Sequence, residues 1–492
     1  MEFSHPDHRK HLRAIARQVM LERGLWTDFS PAVQNELEDA PLRAAEPRGD
    51  RRDLRDLLWS SIDNDDSMDL DQLTVAEAKA DGVIRIGVAV ADVDAVVNKG
   101  GAVDKHARHN TTAVYTAAEI FTMLPEPLCY DLTSLNEGAE RAALTVMMDV
   151  DAAGQVSAPD IRLALVRNHA KLAYDGVAAW LEGVGPRPER IGEVPGLEEN
   201  LRLQDEAAQR LRRRRFGHGA LALQTLRARP LFDHDTVSEL HADERNRARD
   251  LIEDFMVAAN GVTARFLEQR KRDSLRRIVR VPKRWERIVD VAAALDHALP
   301  PSPDPRALSA FLDSRREADP VSFPDLSLTI VKLLGRGEYV VSEPGEEPPG
   351  HFGLAVRHYA HSTAPNRRYP DLLTLRLIKS ALQGGKAPYT TQELRDLAER
   401  CTRMEDEADK VERQVAKSAA AMLLESRVGE RFDGIVTGAS MKGTWVRVFD
   451  PPVEGKVTGG EMDVDVGDHV RVELTGVNVE RGFIDFELVR RS

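Results

Sequence analysis

The chain changes character near Val428. Before it, apolar residues recur at helical spacing over long stretches. After it come five short apolar runs, Phe432–Val436, Thr444–Val448, Gly455–Val457, His469–Leu474 and Phe483–Leu488, with Gly438, Gly443, Gly459 and Gly467 between them. Five short strands packed into about 65 residues predict a small Greek-key barrel of the OB type. Domains run to about 250 residues, so the remainder of a 492-residue chain must divide further. The pattern places a helical piece at 1–50, a large mixed domain at 51–427 and the barrel at 428–492.

In the first piece, Arg9 to Glu22 carries Leu12, Ile15, Ala16, Val19 and Met20 on one helical face. Ser30 reads as an N-cap with Pro31 at the first helical position, opening Ala32–Asp39. A helix-turn-helix-like piece is expected, followed by a linker over Arg43–Arg51. The middle domain reads as α+β. Strands are expected at Ile84–Ala91 and Ala143–Val150. Helices are expected at Tyr174–Glu182, Glu199–Arg215, Arg245–Arg270, Arg284–Leu295, from near Pro370, and over Thr391–Ser426. Glu343–Pro349 is turn material.

Composition narrows the class. With 42% apolar and 30% charged residues the chain is of the soluble globular kind. The charge balance, 68 basic against 81 acidic residues, is −13, which excludes a small, uniformly basic nucleic-acid module. Local basic runs remain. Arg210–Arg215 reads RLRRRR, and Arg270–Arg287 has nine basic residues against two acidic, net +7. Such segregation suits a phosphate backbone, and equally a solvated helix face. Cys129 and Cys401 are the two cysteines. They permit no disulfide framework or paired-cysteine metal site, and a reducing cytoplasm is expected. No signal peptide and no membrane span are expected.

The chemistry concentrates in Ile62–Asp71, IDNDDSMDLD, with Asp63, Asp65, Asp66, Asp69 and Asp71. Carboxylates this close repel unless cations, water or hydrogen bonds hold them. A calcium EF-hand fails, because Met68 stands where Gly is needed and Thr74 where a bidentate Glu is needed. A solvated acidic loop and a magnesium site are both open. Magnesium prefers few carboxylates and keeps positions for substrate phosphate, and two ions could activate water and stabilise a leaving oxygen. Asp92 ends the strand-like run that follows.

A second motif lies far away: Tyr359–Arg376, YAHSTAPNRRYPDLLTLR. Pro365 fixes the chain before Arg367 and Arg368, and Pro370 suits a helix start. An arginine there can grip a phosphate or pair with Asp371 and cap the turn.

Together the two motifs resemble the ribonuclease II / ribonuclease R family. Ile62, Asp63, Asp69, Asp71 and Gln72 occupy its acidic motif, and His361 to Leu372 its later H-F-T-S-P-I-R-R-Y-x-D-L motif. Met123–Asn136, Ala170–Trp180, Leu251–Asn260 and His351–Leu354 match in the same order. The resemblance covers Asp53 to Ser426 and the terminal barrel, which is similar to the ribosomal S-one type. It implies an RNB-like catalytic domain with a long one-ended tunnel. The implied activity is processive, metal-dependent hydrolytic 3′→5′ exoribonuclease action releasing nucleoside 5′-monophosphates. Mg²⁺ is the implied cofactor, with Mn²⁺ a substitute. The implied substrates are single-stranded RNA 3′ ends and structured RNA with a 3′ overhang, with no membrane and no obligate protein partner. By motif position, Asp63 and Asp69 are implied metal ligands, Asp71 the central catalytic carboxylate, and Arg367 the stabiliser of the scissile phosphate. Tyr174 and Trp285 take the places of rings that stack on bases. Glu412 matches a glutamate near the active site.

The sequence departs from the family in two places. Gln72 stands where the family has a last Asp. The site could bind metal more weakly, Asp65, Asp66 or Asp92 could compensate, or the chain could be an RNA-binding relative with weakened catalysis. Residues 1–50 are also too short for the two cold-shock domains with which typical members begin. A nuclease acting on DNA stays open, because contacts to a 2′-OH are not legible in sequence.

Overall fold

The computed structural model describes residues 7–45, 50–224, 228–242, 245–347, 349–440, 443–459, 464 and 466–491. At its centre is a seven-stranded mixed sheet. Its strands run, edge to edge, Arg52–Asp53, Val156–Arg167, Glu140–Val150, Ile84–Ala91, Gln72–Ala78, Ser60–Asp63 and Ala170–Ala173. The two outermost pairings, Arg52–Asp53 with Val156–Arg167 and Ser60–Asp63 with Ala170–Ala173, are parallel and the rest antiparallel. Ile84–Ala91 lies at the middle and is buried along nearly its whole length, as its unbroken apolar run requires. Gly87 in this strand cannot carry a side chain. A Cβ there would stand 2.9 Å from the ring of Trp59 and 2.6 Å from the Met147 sulfur. The fully buried Trp59 indole fits over that gap and donates to the Leu54 carbonyl at 2.9 Å.

Helices Leu197–Gly217 and Arg247–Gln269 pack on the sheet. They match the expected helices to within two residues at each end, as does Tyr174–Glu182. The helix Tyr369–Leu382 joins the same core through Leu372, Leu373, Leu375 and Ile378. A 34-residue helix, Thr391–Leu424, closes the domain. Thr390 and Glu393 form a reciprocal capping box at its start.

The first helix runs His8–Glu22, with the Asp7 carboxylate accepting from the Lys10 N–H at 2.8 Å. Its apolar face is the one expected, but it packs on Met404, Ala408, Val411 and Val415 of the long helix. Pro31–Leu37 follows Ser30, and Val33 and Ala40 enter the central core. The N-terminal helices therefore share cores with the large mixed domain instead of closing one of their own. The expected linker over Arg43–Arg51 is partly helical, since Ala40–Ala45 forms a short helix; residues 46–49 lie outside the described residues.

The C-terminal strands close into a five-stranded barrel in the order Arg431–Ser440, Gly443–Val448, Val453–Gly459, Phe483–Arg491, His469–Asn478. Arg447 on the barrel forms a two-pronged pair with Asp325 at 2.9 and 2.6 Å, tying it to the helix Phe323–Leu334. No helix of the described residues is long and apolar enough to cross a membrane.

Candidate active site

The acidic motif occupies one end of the sheet. Asp63 is the last residue of its strand, and the loop after it returns to open the strand Gln72–Ala78. Ser134 pins this loop: its hydroxyl donates to the Met68 carbonyl at 2.7 Å and accepts from the Leu70 N–H at 3.0 Å. Asp63, Asp69 and Asp71 each have separate partners. Asp63 accepts from the Asn64 N–H at 2.7 Å and the Ser67 hydroxyl at 3.0 Å. Asp69 accepts from the Tyr115 hydroxyl at 2.8 Å. Asp71, 2% exposed, accepts from the Asn366 N–H at 3.1 Å and Arg367 Nε at 2.8 Å.

The second motif thus meets the first. Its two arginines divide the roles between which the sequence left a choice. Arg368 pairs with Asp371 at 2.7 Å, and Asp371 also accepts the N–H groups of Thr363 and Ala364 at 2.8 Å each. That fixes the turn. Arg367 is left to face Asp71.

Burial pushes the Asp71 carboxyl up to about 7; the Arg367 charge opposes the rise and the Asp69 charge adds to it. Asp63 is raised by burial in the same way, with its two hydrogen bonds and Arg367 opposing. Burial alone would lower the Arg367 pKa, but the charge and hydrogen bond of Asp71, together with the other acidic groups around it, outweigh burial and hold the guanidinium protonated. The Tyr115 hydroxyl is raised by desolvation and by Asp69 and Asp71, so it stays a donor.

These carboxylates suit a divalent cation in donor chemistry. They are hard oxygen ligands, and two of them are buried enough to resist ionisation without a positive neighbour. They are not drawn into one shell: among the described residues no group of three or more His, Cys, Asp or Glu side chains is gathered closely enough to hold a metal. Asp65 and Asp66 point outward, and Asp66 pairs with Arg229 at 2.9 Å. Asp92 is buried between Arg51 at 2.5 Å and Lys379 at 2.8 Å. Its charge is thereby neutralised, which corrects the expectation that it could stand in at the metal site. Gln72 opens its strand opposite Val90.

Tyr174 is held beside Asp63 by the parallel register that pairs Asp63 with Ala173. The Arg249 guanidinium carbon lies 4.7 Å from the Tyr174 ring centroid, and its Nη2 donates to the Asn64 side chain at 3.0 Å. Trp285 corrects the sequence reading. It is 3% exposed, packs among Ile288, Leu308 and Phe311, and donates its indole N–H to the Pro300 carbonyl at 2.9 Å. It is a core residue and offers no free ring face. Glu412 reaches the site indirectly, accepting the backbone N–H of Tyr115 at 2.8 Å. The basic run Arg270–Arg287 is not one exposed stripe, because Arg276 is buried, Arg277 pairs with Glu405 and Arg280 with Glu338.

Tyr115, Ser134, Asn366 and Arg249 were not singled out from sequence. Ser134 lay inside the matched segment Met123–Asn136, and Asn366 inside the second motif. Tyr115 and Arg249 gave no local signal, because only the folded chain brings them to the site.

The site is a carboxylate cluster facing an arginine at the end of a mixed sheet, with a barrel of the S1 type beyond it. Residues 51–384 match the RNB domain and residues 430–489 the RNase II-type exonuclease C-terminal S1 domain. The chain belongs to the RNB family, of the ribonuclease II / ribonuclease R kind. It is 30% identical to ribonuclease R of Aquifex aeolicus over 97% of this chain and 70% of that one. It is 31% identical to ribonuclease R of Escherichia coli over 90% of this chain and 58% of that one. The chain thus spans less than two thirds of the latter. The structure of Mycoplasma genitalium RNase R in complex with ribose-methylated single-stranded RNA superposes with a TM-score of 0.85. That match covers 98% of this chain and 78% of the other at 21% identity, and it shows the shared fold.

Proposed function

We propose that the chain is a metal-dependent 3′→5′ exoribonuclease that hydrolyses RNA to nucleoside 5′-monophosphates. The observation that carries this is the meeting of Asp71 with Arg367 in a family whose members act on RNA ends. Asp63, Asp69 and Asp71 would hold the cation, Mg²⁺ with Mn²⁺ as substitute. When bound it supplies an activated water and charge stabilisation on a leaving oxygen. Asp71, ionised, orients that side of the site. Arg367 exchanges its contact with Asp71 for the phosphate to be cut, and its fixed charge meets negative charge as it develops. Tyr174 stacks on a base near the 3′ end, its far side supported by Arg249. Tyr115 holds Asp69 in place, and Glu412 holds the backbone of Tyr115.

The partner in this reading is the 3′ end of single-stranded RNA or of a structured RNA with a 3′ overhang. The compartment is the reducing cytoplasm, in keeping with two buried free cysteines. A second reading rests on Gln72, which carries no charge where the family has an Asp: an RNA-binding relative with weakened hydrolysis. Matched 5′-labelled RNA and DNA oligonucleotides, incubated with Mg²⁺, Mn²⁺ or chelator, separate the readings. The proposal expects RNA shortening from the 3′ end with mononucleotide release, ended by chelator. Binding without cleavage under every metal would favour the second reading, and equal digestion of DNA would overturn RNA specificity.

A further inference from the structure

We infer that a cleft at the end of the sheet remote from the carboxylates is a binding site for a nucleoside phosphate. It has a volume of about 500 Å³ and lies between the last turns of Leu197–Gly217, the middle of Arg247–Gln269, the turn at Gly154 and residues 355–358. Position separates it from the active site. Ala143 pairs with Ala91, whose N–H donates to the Asp71 carbonyl, whereas Val150 pairs with Val156 at the cleft. Seven residues of extended strand put about 23 Å between the two ends.

The lining of the cleft includes the apolar Val156, Val257 and Val356 and the paired Arg215 and Asp254. It also includes Arg214, Arg265 and Arg357. The arginines around it are mostly spent on carboxylates. Arg210 pairs with Glu206, Arg212 with Asp250 and Arg247 with Asp205. Buried Arg215 pairs with Glu253 and Asp254, though its Nε finds no hydrogen-bond partner among the described residues. Arg214 and Arg265 differ: among the described residues neither guanidinium has a hydrogen bond or ion pair. Arg357 has only Glu347, 4.0 Å away, and both are well exposed. In a chain of net charge −13, cations left unpaired around one cleft are a notable arrangement. Arginine forks suit phosphate oxygens. Apolar side chains in the same lining suit the flat face of a base, and the volume of about 500 Å³ suits one small ligand. Choosing a nucleotide among phosphate esters rests on the proposed nuclease reading. The nucleotide could come free, as a released monophosphate, or as one unit of an RNA strand passing outside the active site.

The test uses the full chain carrying Asp71→Asn, with and without Arg214→Glu and Arg357→Glu. Both arginines are exposed, so the fold should tolerate their reversal. With the active site filled by a short 2′-O-methyl RNA, adenosine 5′-monophosphate is titrated calorimetrically, and inorganic phosphate is used as competitor. Long and short 2′-O-methyl RNAs are titrated separately. Saturable monophosphate binding that falls about tenfold or more on charge reversal, the loss of one charge-assisted contact, supports the free nucleotide. A similar loss for long RNA but not short RNA supports the strand. If reversal changes neither monophosphate nor long-RNA binding, the inference is overturned. No readout uses cleavage, so an inert wild type would refute the nuclease reading without touching these outcomes.

Discussion

Arg367 Nε lies 2.8 Å from Asp71 Oδ2, although the two residues are 296 positions apart. The neighbouring Arg368 turns instead to Asp371, with 0% of the Asp371 side chain exposed. Two adjacent arginines therefore serve different ends. Arg367→Ala should slow single-turnover cleavage by about two orders of magnitude, as removal of one preorganised charge stabiliser does. RNA affinity should change little. Arg368→Ala should act on the fold, leaving Asp371 buried without its cation and lowering the melting temperature. If Arg367→Ala weakened only binding, Arg367 would be a binding residue.

Asp71 also gives a pH dependence. Burial pushes its carboxyl up to about 7 in the fold, from the ordinary aspartate value of about 4. Between those values the folded chain holds more protons than the unfolded one, so stability falls as pH rises. In chelator, the stabilising contribution of protonated Asp71 should be complete below about pH 4 and lost by about pH 7. Asp71→Asn should remove that slope and abolish cleavage while keeping RNA binding. Because a ligand must be deprotonated, Mg²⁺ affinity of the wild type should climb towards pH 7 and then level. A flat difference in melting temperature between wild type and variant across this range would refute the assignment.

Tyr115 acts through Asp69. Tyr115→Phe deletes the hydroxyl that donates to Asp69 at 2.8 Å but keeps the ring. Loss of an outer contact of this kind costs about 10-fold to 100-fold in metal affinity. The Mg²⁺ concentration for half-maximal activity should rise accordingly, with RNA affinity unchanged. A lower maximal rate at saturating Mg²⁺, with the midpoint unmoved, would place Tyr115 on substrate instead.

Much of this site was legible in sequence because its residues sit in two short, dense motifs. Asp63, Asp69, Asp71 and Arg367 were singled out that way as candidates, and the fold brings Arg367 to Asp71 and sets Tyr174 beside Asp63 through strand register. What was missed arrives from single residues on other elements, as Tyr115 and Arg249 do. Trp285 was assigned to stacking by its motif position, and motif position does not report that the ring is buried among Ile288, Leu308 and Phe311. The strand Val156–Arg167 was hidden by Pro159. The sheet accommodates this proline at an irregularity, where the register shifts between Met147 and Asp149 and Ala158 takes a φ of 44°.

The burial of Trp285 makes its own prediction. Trp285→Ala should destabilise the fold by about 3–5 kcal/mol, the usual cost of emptying a large core site. The folded fraction should bind RNA as the wild type does. A stacking residue would give the reverse, with stability kept and affinity for RNA ends reduced.

In the proposed metal site, Gln72 supplies no charge. Its carboxylate neighbours offer no replacement: Asp65 and Asp66 are exposed, and Asp92 is buried between Arg51 and Lys379. Gln72→Asp should therefore restore a missing charge and lower the Mg²⁺ needed for half activity by about tenfold, since charge count tunes affinity for hard cations. An unchanged or higher requirement would mean that the existing carboxylates already suffice and that a further one only adds repulsion. If the wild type proved inert on single-stranded RNA with every metal while Gln72→Asp cleaved it, the RNA-binding reading would win. Hydrolysis would then have been lost at one residue. Measurable wild-type cleavage, improved by the substitution at low Mg²⁺, is the expected result.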